Sequence, residues 1–441
     1  MIKISIVITV FNGAEYLPKL LTDLSQLSNS EMQIIVVDDG STDQSFAVAS
    51  EFKKLFPHYS LERLSENNGV GNARNIGIKL SVGKYIYFLD CDDSVIGSFL
   101  VGSELDFSTA ADLIFAPVIR QISNLSNEFY LSVLNQAINM DRQDLLAAST
   151  RYRTSSMECW GLFIRREFLE SNEIYFQPIR ISEDFVFMTE VYTKLKSFSL
   201  VNSPVYIHTH HSGSLGKSFS NHEIHSWFAG FLHLVTLAGD NCARSIEGEF
   251  IEGQMIWCFA YFLIAFVLSD TEVQRSFLEQ VSAGDDNSIL YQLAVDSDDV
   301  CPAEDLPLEQ LIDKSQVALK KIVGEVSPTN TYLYCYDRLS MGVCEMMEAL
   351  GIYIDGIIDD NAESIVPTEK LAVKLMSPSA LNHKLLQHAT IIVCHDNINV
   401  YATVKNRFLN EQKRGLRIVN VTTRDLVGDL AYSKFFKSDC V

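Results

Sequence analysis

Three carboxylates, Asp90, Asp92 and Asp93, follow the apolar run YIYFL in the stretch FLDCDDS. Like charges this close repel, and carboxylates sharing a site tend to push one pKa up. A divalent cation offsets the repulsion. Asp-x-Asp at a strand end suits a cation held by few protein oxygens and several phosphate oxygens. A second acidic pair, Asp38 and Asp39, closes the run IIVV; Gly40 permits a tight turn there and Asp43 is placed to cap the following helix. The pair exceeds what a cap needs, and an acceptor at that place could read an N–H on a nucleobase edge. A third pair, Glu183 and Asp184, opens a helical stretch, where the helix dipole would keep a carboxylate ionised. Carboxylates in such places can serve as a general base or hold a Lewis-acidic cation.

These residues need elements to bring them together. KISIVITV, QIIVVDD, YSLERL and KYIYFLD read as strands, alternating with the helical patterns AEYLPKLLTDLSQL, DQSFAVASEFKKLF and GNARNIGIKLS. Such alternation predicts a parallel sheet with helices on both faces, whose ligands bind at the carboxyl ends of the strands. The acids lie at those ends, beside TVFNG after the first strand. Arg74 falls within the third helix, which opens near Gly69, where it is placed to meet phosphates or the acidic cluster. ADLIFAPVIRQ, EFYLSVLN and SPVYIHTHH read as further strands, and RQDLLAAS, RREFLES and EDFVFMTEVYTKLK as helices. From about residue 221 to residue 328 the pattern is helical, with nine acids and no Lys or Arg between Val281 and Asp313. A second α/β alternation runs from residue 329 to residue 441.

Composition narrows the partners. The chain has 441 residues, enough for two or three domains, and 35 Lys+Arg against 56 Asp+Glu give a net charge of -21. Neither a basic balance nor a basic stripe is present, which argues against nucleic acid. The nine cysteines include no Cys-x-x-Cys pair and mostly sit in apolar surroundings, the pattern of buried thiols in a reducing compartment. The start MIKISIVITVFNG reads as a first strand and not as a signal peptide. The longest apolar run, Met255 to Leu268, is shorter than the roughly 20 residues a membrane span needs and predicts a buried core helix.

SIVITVFNGAEYL, IIVVDDGSTD, NNGVGNARNIGI and YIYFLDCDD, in this order and at these strand ends, resemble the N-terminal half of glycosyltransferase family 2 enzymes with the GT-A fold. CWGLFIRREFLESNEIYFQPIRISEDFVFMTEVYTK resembles the family's acceptor-side segment, so the likeness covers roughly residues 1 to 215. The resemblance implies that Thr9, Phe11 and Asp39 flank and read the nucleotide base. Asp90 would hold the ribose. Asp92 would ligate Mn2+ or Mg2+ bridging the diphosphate, with Asp93 beside it, and Arg74 would steady the base pocket or the phosphates. Asp184 would be the general base with Glu183 its neighbour. Trp160 would stack on a sugar face, although a lone Trp fits a core position as well. His211, in a cluster with His208 and His210 before a Gly-Ser turn, would complete the metal or diphosphate site, although a structural histidine fits the same pattern. Phe11 stands where many relatives have Tyr, which keeps stacking and removes a hydroxyl.

The Gln-x-x-Arg-Trp signature of processive synthases is absent from the sequence. The implied enzyme is non-processive and cytoplasmic, at most peripheral at the inner face of a membrane. It would take a nucleotide-sugar, a UDP-sugar first, to a glycan or lipid-linked acceptor. The expected organisation is a GT-A domain over residues 1–220, a helical region over 221–328 as the candidate for homodimer or membrane contact, and a small Rossmann-like α/β domain over 329–441. In that last domain YDRLSMG keeps one glycine, Gly342, where a dinucleotide site has three; Arg338 or Leu339 would obstruct a pyrophosphate. A structural or interaction role is therefore expected there, and the alternative to an enzyme is a scaffold built on an inactive transferase fold.

Overall fold

The computed structural model describes residues 2–96, 107, 110–116, 118–122, 125–126, 141–146, 157–201, 205–209, 222–239, 245–267, 269, 271–282, 330–334, 339, 343–344, 346–347, 354–359, 374–381, 386–394 and 398–421. The strand expected at EFYLSVLN, the acidic stretch beyond Ser282, and His210, His211, Arg338 and Gly342 lie outside the described residues. The chain divides into two compact units, one of residues 1–148 and 155–216, the other of residues 149–154 and 217–441.

The first unit is built on a seven-stranded sheet. Its strands are β1 (Ile4–Val10), β2 (Met32–Asp38), β3 (Tyr59–Arg63), β4 (Tyr85–Asp90), β6 (Leu113–Phe115), β9 (Leu162–Arg165) and β10 (Phe198–Leu200), in the order β10-β6-β9-β4-β1-β2-β3. Only β9 runs antiparallel to its neighbours. Every residue of β1 and β2 is buried, as expected for strands covered on both faces. Helix α1 (Leu17–Leu27) meets the sheet with Leu17, Leu20, Leu21 and Leu24, one apolar stripe at helical spacing. Helices α2 (Ser45–Phe52) and α3 (Val70–Leu80) complete the crossovers. The chain turns one way from β1 to β2 and lays β4 on the other side of β1. That is a switch point, where strand ends open a crevice. Register places Thr9 opposite Asp90 and Val10 opposite Asp38, so three strand ends share one rim.

Close approach of α3 to β1 sets this spacing. A Cβ built on Gly77 would lie 2.2 Å from Val7 Cγ1. Gly77→Ala is therefore expected to destabilise the first unit by about 1–3 kcal/mol, since overpacking forces backbone to shift. An unchanged midpoint in urea denaturation would refute the close contact.

A four-stranded sheet borders the crevice, ordered β5-β11-β7-β8 from β5 (Ser94–Val95), β7 (Val118–Ile122), β8 (Leu125–Ser126) and β11 (Tyr206–Thr209). Because β5 follows Asp93 immediately and pairs antiparallel with β11, the acidic run spans the gap between the two sheets. Two further helices, α4 (Arg166–Ser171) and α5 (Glu183–Lys194), belong to this unit.

In the second unit, helices α6 (His222–Gly239), α7 (Ile246–Val267) and α8 (Thr271–Ser282) pack through Phe228, Phe231, Phe259, Phe262 and Phe277. The apolar run that appeared too short for a membrane belongs to a 22-residue helix, α7, with hydropathy 1.7 over its most apolar window; by length and composition alone that could cross a bilayer. Inside the unit 72% of that window is buried, the condition of a core helix. The second sheet is all parallel: β12 (Thr331–Tyr334), β13 (Gly356–Ile358), β14 (Leu375–Met376), β15 (Thr390–Cys394) and β16 (Arg417–Val421), ordered β14-β13-β12-β15-β16. Numbered from its own first strand that order is 3-2-1-4-5, the doubly wound arrangement. Ile264 of α7 shares a core cluster with Leu333, Leu339, Met347 and Ile392. The helical region and the C-terminal sheet, distinguished in the sequence, thus fold around common apolar contacts.

Candidate active site

The loops after β1 and β2 are stitched together before any ligand is considered. Asn12 takes a left-handed backbone, φ 52°, which Asn tolerates better than most residues. Its Oδ1 accepts the N–H groups of Thr42 and Asp43 at 2.9 and 3.3 Å, and its own N–H donates to Ser41 Oγ at 2.9 Å. Asp43 does not occupy the cap of α2, a position held by Gln44. It accepts the Ser45 N–H at 2.9 Å and reaches back to the Ala14 N–H at 3.1 Å. Burial would raise its carboxyl, but the bonds from Ser45 and Ala14 outweigh burial and hold it below the usual range. Gly40, φ 70°, turns where any Cβ would meet the backbone of Glu66 and Asn67.

On this frame Asp39 is buried, 3% exposed, and accepts the Asn68 and Gly69 N–H groups, one on each oxygen, both at 2.9 Å. Burial pushes its carboxyl up, and the two N–H bonds only partly offset that. Asp38, fully buried, accepts the Ser41 N–H and faces Arg63 Nε at 3.4 Å. Thr9 is buried at the end of β1, whereas the Phe11 ring just beyond it stays 46% exposed. Thr9, Phe11 and Asp39 therefore occupy adjoining strand ends, with an open aromatic face beside buried polar groups.

Arg74, expected to meet phosphates or the acidic cluster, lies against the acidic cluster. Its side chain is 5% exposed and its two terminal nitrogens are already engaged, with Glu183 Oε1 at 2.7 Å and Asp90 Oδ1 at 2.9 Å. Its guanidinium also lies 5.4 Å from the centre of the Phe176 ring. Asp90 remains 28% exposed. Burial and the charges of Asp93 and Asp92 push its carboxyl up against the pull of Arg74, and the rise wins.

Asp93, expected beside the metal-ligating Asp92, is bonded to β11. Its Oδ2 accepts the Tyr206 hydroxyl and lies 3.2 Å from His208 Nδ1, while Oδ1 accepts the Thr209 N–H at 2.7 Å. A buried carboxylate bonded this fully anchors the acidic turn to β11. Tyr206 and His208 had not been singled out together, although their two-residue spacing on a strand puts them on one face. Trp160 lies flat against both, with ring centres 5.0 Å from Tyr206 and 4.9 Å from His208. Being 6% exposed and part of the main apolar cluster, it is a core residue, the second of the two readings of its sequence.

Asp92 is half-buried on the turn after β4. Among the described residues no group of three or more His, Cys, Asp or Glu side chains is arranged to hold a metal ion. The donor chemistry nevertheless fits a hard cation that takes one or two carboxylate oxygens and fills its other positions from phosphate. His211, the other expected ligand, lies outside the described residues.

Across from this turn, Glu183 and Asp184 open α5 behind Ser182, whose φ of 65° is uncommon for a side-chain-bearing residue. Glu183 is buried, and burial raises its carboxyl despite Arg74. Asp184 stays partly reachable and accepts the Phe185 N–H at 2.8 Å. The helix dipole does not keep its proton affinity low as expected: burial first, and the Glu183 charge second, push the Asp184 carboxyl well up. A carboxylate so raised is a stronger proton acceptor when ionised.

The chain is similar to known glycosyltransferases. The model of the glycosyl transferase family 2 matches residues 5–171. A cholesterol galactosyltransferase of Borreliella burgdorferi is 26% identical over 63% of this chain and 81% of its own length. A poly(ribitol-phosphate) beta-glucosyltransferase of Bacillus spizizenii is 29% identical over 45% of this chain, which spans only 31% of that protein. The crystal structure of S. aureus TarS 1-349 in complex with UDP-GlcNAc superposes with a TM-score of 0.46 at 17% identity, over 66% of this chain and 85% of that one. Residues 5–171 thus match the glycosyl transferase family 2, and the unit that contains them is a glycosyltransferase.

Proposed function

We propose that the first unit is a metal-dependent inverting transferase. It moves a sugar from a nucleoside-diphosphate sugar, a UDP-sugar first among them, to a hydroxyl of a glycan or lipid-linked acceptor in the assembly of cell-surface glycan on the cytoplasmic side. The observation that carries this reading is the Arg74 bridge. It joins Asp90, two residues before Asp92, to Glu183, the neighbour of Asp184, and so sets the donor-side turn against the base-side helix.

In this reading Thr9 and Phe11 flank the base and Asp39 accepts its N–H. Asp90 accepts a ribose hydroxyl. Asp92 would hold Mn2+ or Mg2+, which when bound stabilises charge on the leaving diphosphate. Asp184 takes the proton of the acceptor hydroxyl as that oxygen bonds to the anomeric carbon; the bond to diphosphate breaks and its electron pair leaves with the nucleotide. The C-terminal doubly wound domain serves as a structural or interaction module.

Calorimetric titration of UDP, GDP, CDP and dTDP, with Mn2+ and with EDTA, tests the reading. One nucleotide should bind in the presence of Mn2+ and weaken by roughly tenfold or more in EDTA and in Asp92→Ala. A folded protein that binds none of the four would overturn it.

A further inference from the structure

The Arg74 guanidinium is buried between two acids from different elements, Asp90 on β4 and Glu183 on α5. Its Nε is buried and makes no hydrogen bond to the protein. Buried ion pairs are weak evidence for stability, because desolvation offsets much of the attraction. Such a pair is better explained by what its charge does locally. Glu183 adjoins Asp184, and a Cβ on Gly71 of α3 would meet the Glu183 side chain at 3.2 Å, so α3 and the start of α5 are in close contact.

We propose that Arg74 is a positioning residue that fixes the start of α5 against β4 and balances the Glu183 charge beside Asp184. This rests on Asp184 being the base. The charged and titratable groups acting on Asp184 are Glu183 on its own helix, Arg74 from α3, and Glu158 and the buried thiol of Cys159 from the segment before β9. Glu183 repels a second negative charge and Arg74 attracts it. Removing Glu183's charge should therefore lower the pH at which Asp184 ionises, and removing Arg74's should raise it.

The measurement is 13C NMR titration of Asp carboxyl carbons in the nucleotide-free protein, the Asp184 resonance being identified by its loss in Asp184→Asn. Glu183→Gln should move the midpoint down by about one pH unit and Arg74→Met up by about one, with the double variant close to wild type. Arg74→Lys should hold the wild-type midpoint because it keeps the charge; if Arg74→Met does not fold, this variant and Glu183→Gln carry the test. A midpoint unmoved by Glu183→Gln, or moved in the same direction by both charge removals, overturns the proposal. Nucleotide binding, followed separately by calorimetry, reports on the transferase reading, so failure of one is distinguishable from failure of the other.

Discussion

Asp184→Asn is expected to lower turnover by about 10²- to 10⁴-fold, the contribution of a positioned general base. Donor-nucleotide affinity should be nearly unchanged, because Asp184 lies on the base-side helix and not at the ends of β1, β2 or β4. Release of UDP from a UDP-sugar in the presence of Mn2+, with water or a glycan extract as acceptor, gives the rate. The pH profile gives the direction. Burial and Glu183 raise the Asp184 carboxyl, and the base works only when deprotonated. The rate should therefore climb with rising pH through a midpoint above the ordinary carboxylate range, then level. In Asp184→Asn that limb should disappear. Equal loss of turnover and nucleotide affinity in the variant would place Asp184 in donor binding and remove it from the base role.

The second large effect is on stability. Trp160→Ala should destabilise the first unit by about 3–5 kcal/mol, the range for deleting a buried aromatic side chain. The indole rests on Tyr206 and His208, and both of these hold Asp93, so the cavity would also loosen the acidic turn. Trp160→Phe, which keeps a ring in the site, should cost less. Urea denaturation followed by tryptophan fluorescence in the described second unit and by circular dichroism would separate the two units' transitions. A normal midpoint combined with weakened sugar-nucleotide binding would restore Trp160 to the sugar face.

Much of the site was legible because its signals are local. A carboxylate run after an apolar strand, a glycine at a turn that demands φ of 70°, and strand-helix alternation each need only neighbouring residues, and they located Thr9, Asp39, Asp90, Asp92 and the Glu183-Asp184 pair at strand and helix ends. The residues that the sequence settled least are those whose role depends on a distant partner. Arg74 is committed to Glu183, 109 positions away, and Asp93 to Tyr206, 113 positions away. Trp160 gave no local sign of whether a ring or a sugar would cover it. The charge state of Asp184 likewise follows from burial beside Glu183, which the helix dipole alone does not predict.

The sequence by itself pointed to the family of chemistry, since sugar transfer onto a hydroxyl needs particular side-chain types at strand ends, and those types are written in the chain. Only the tertiary structure decided which of the acids are spent on holding the fold and which face the crevice. That choice depends on desolvation and on pairing across elements, quantities that exist only once the sheets have packed.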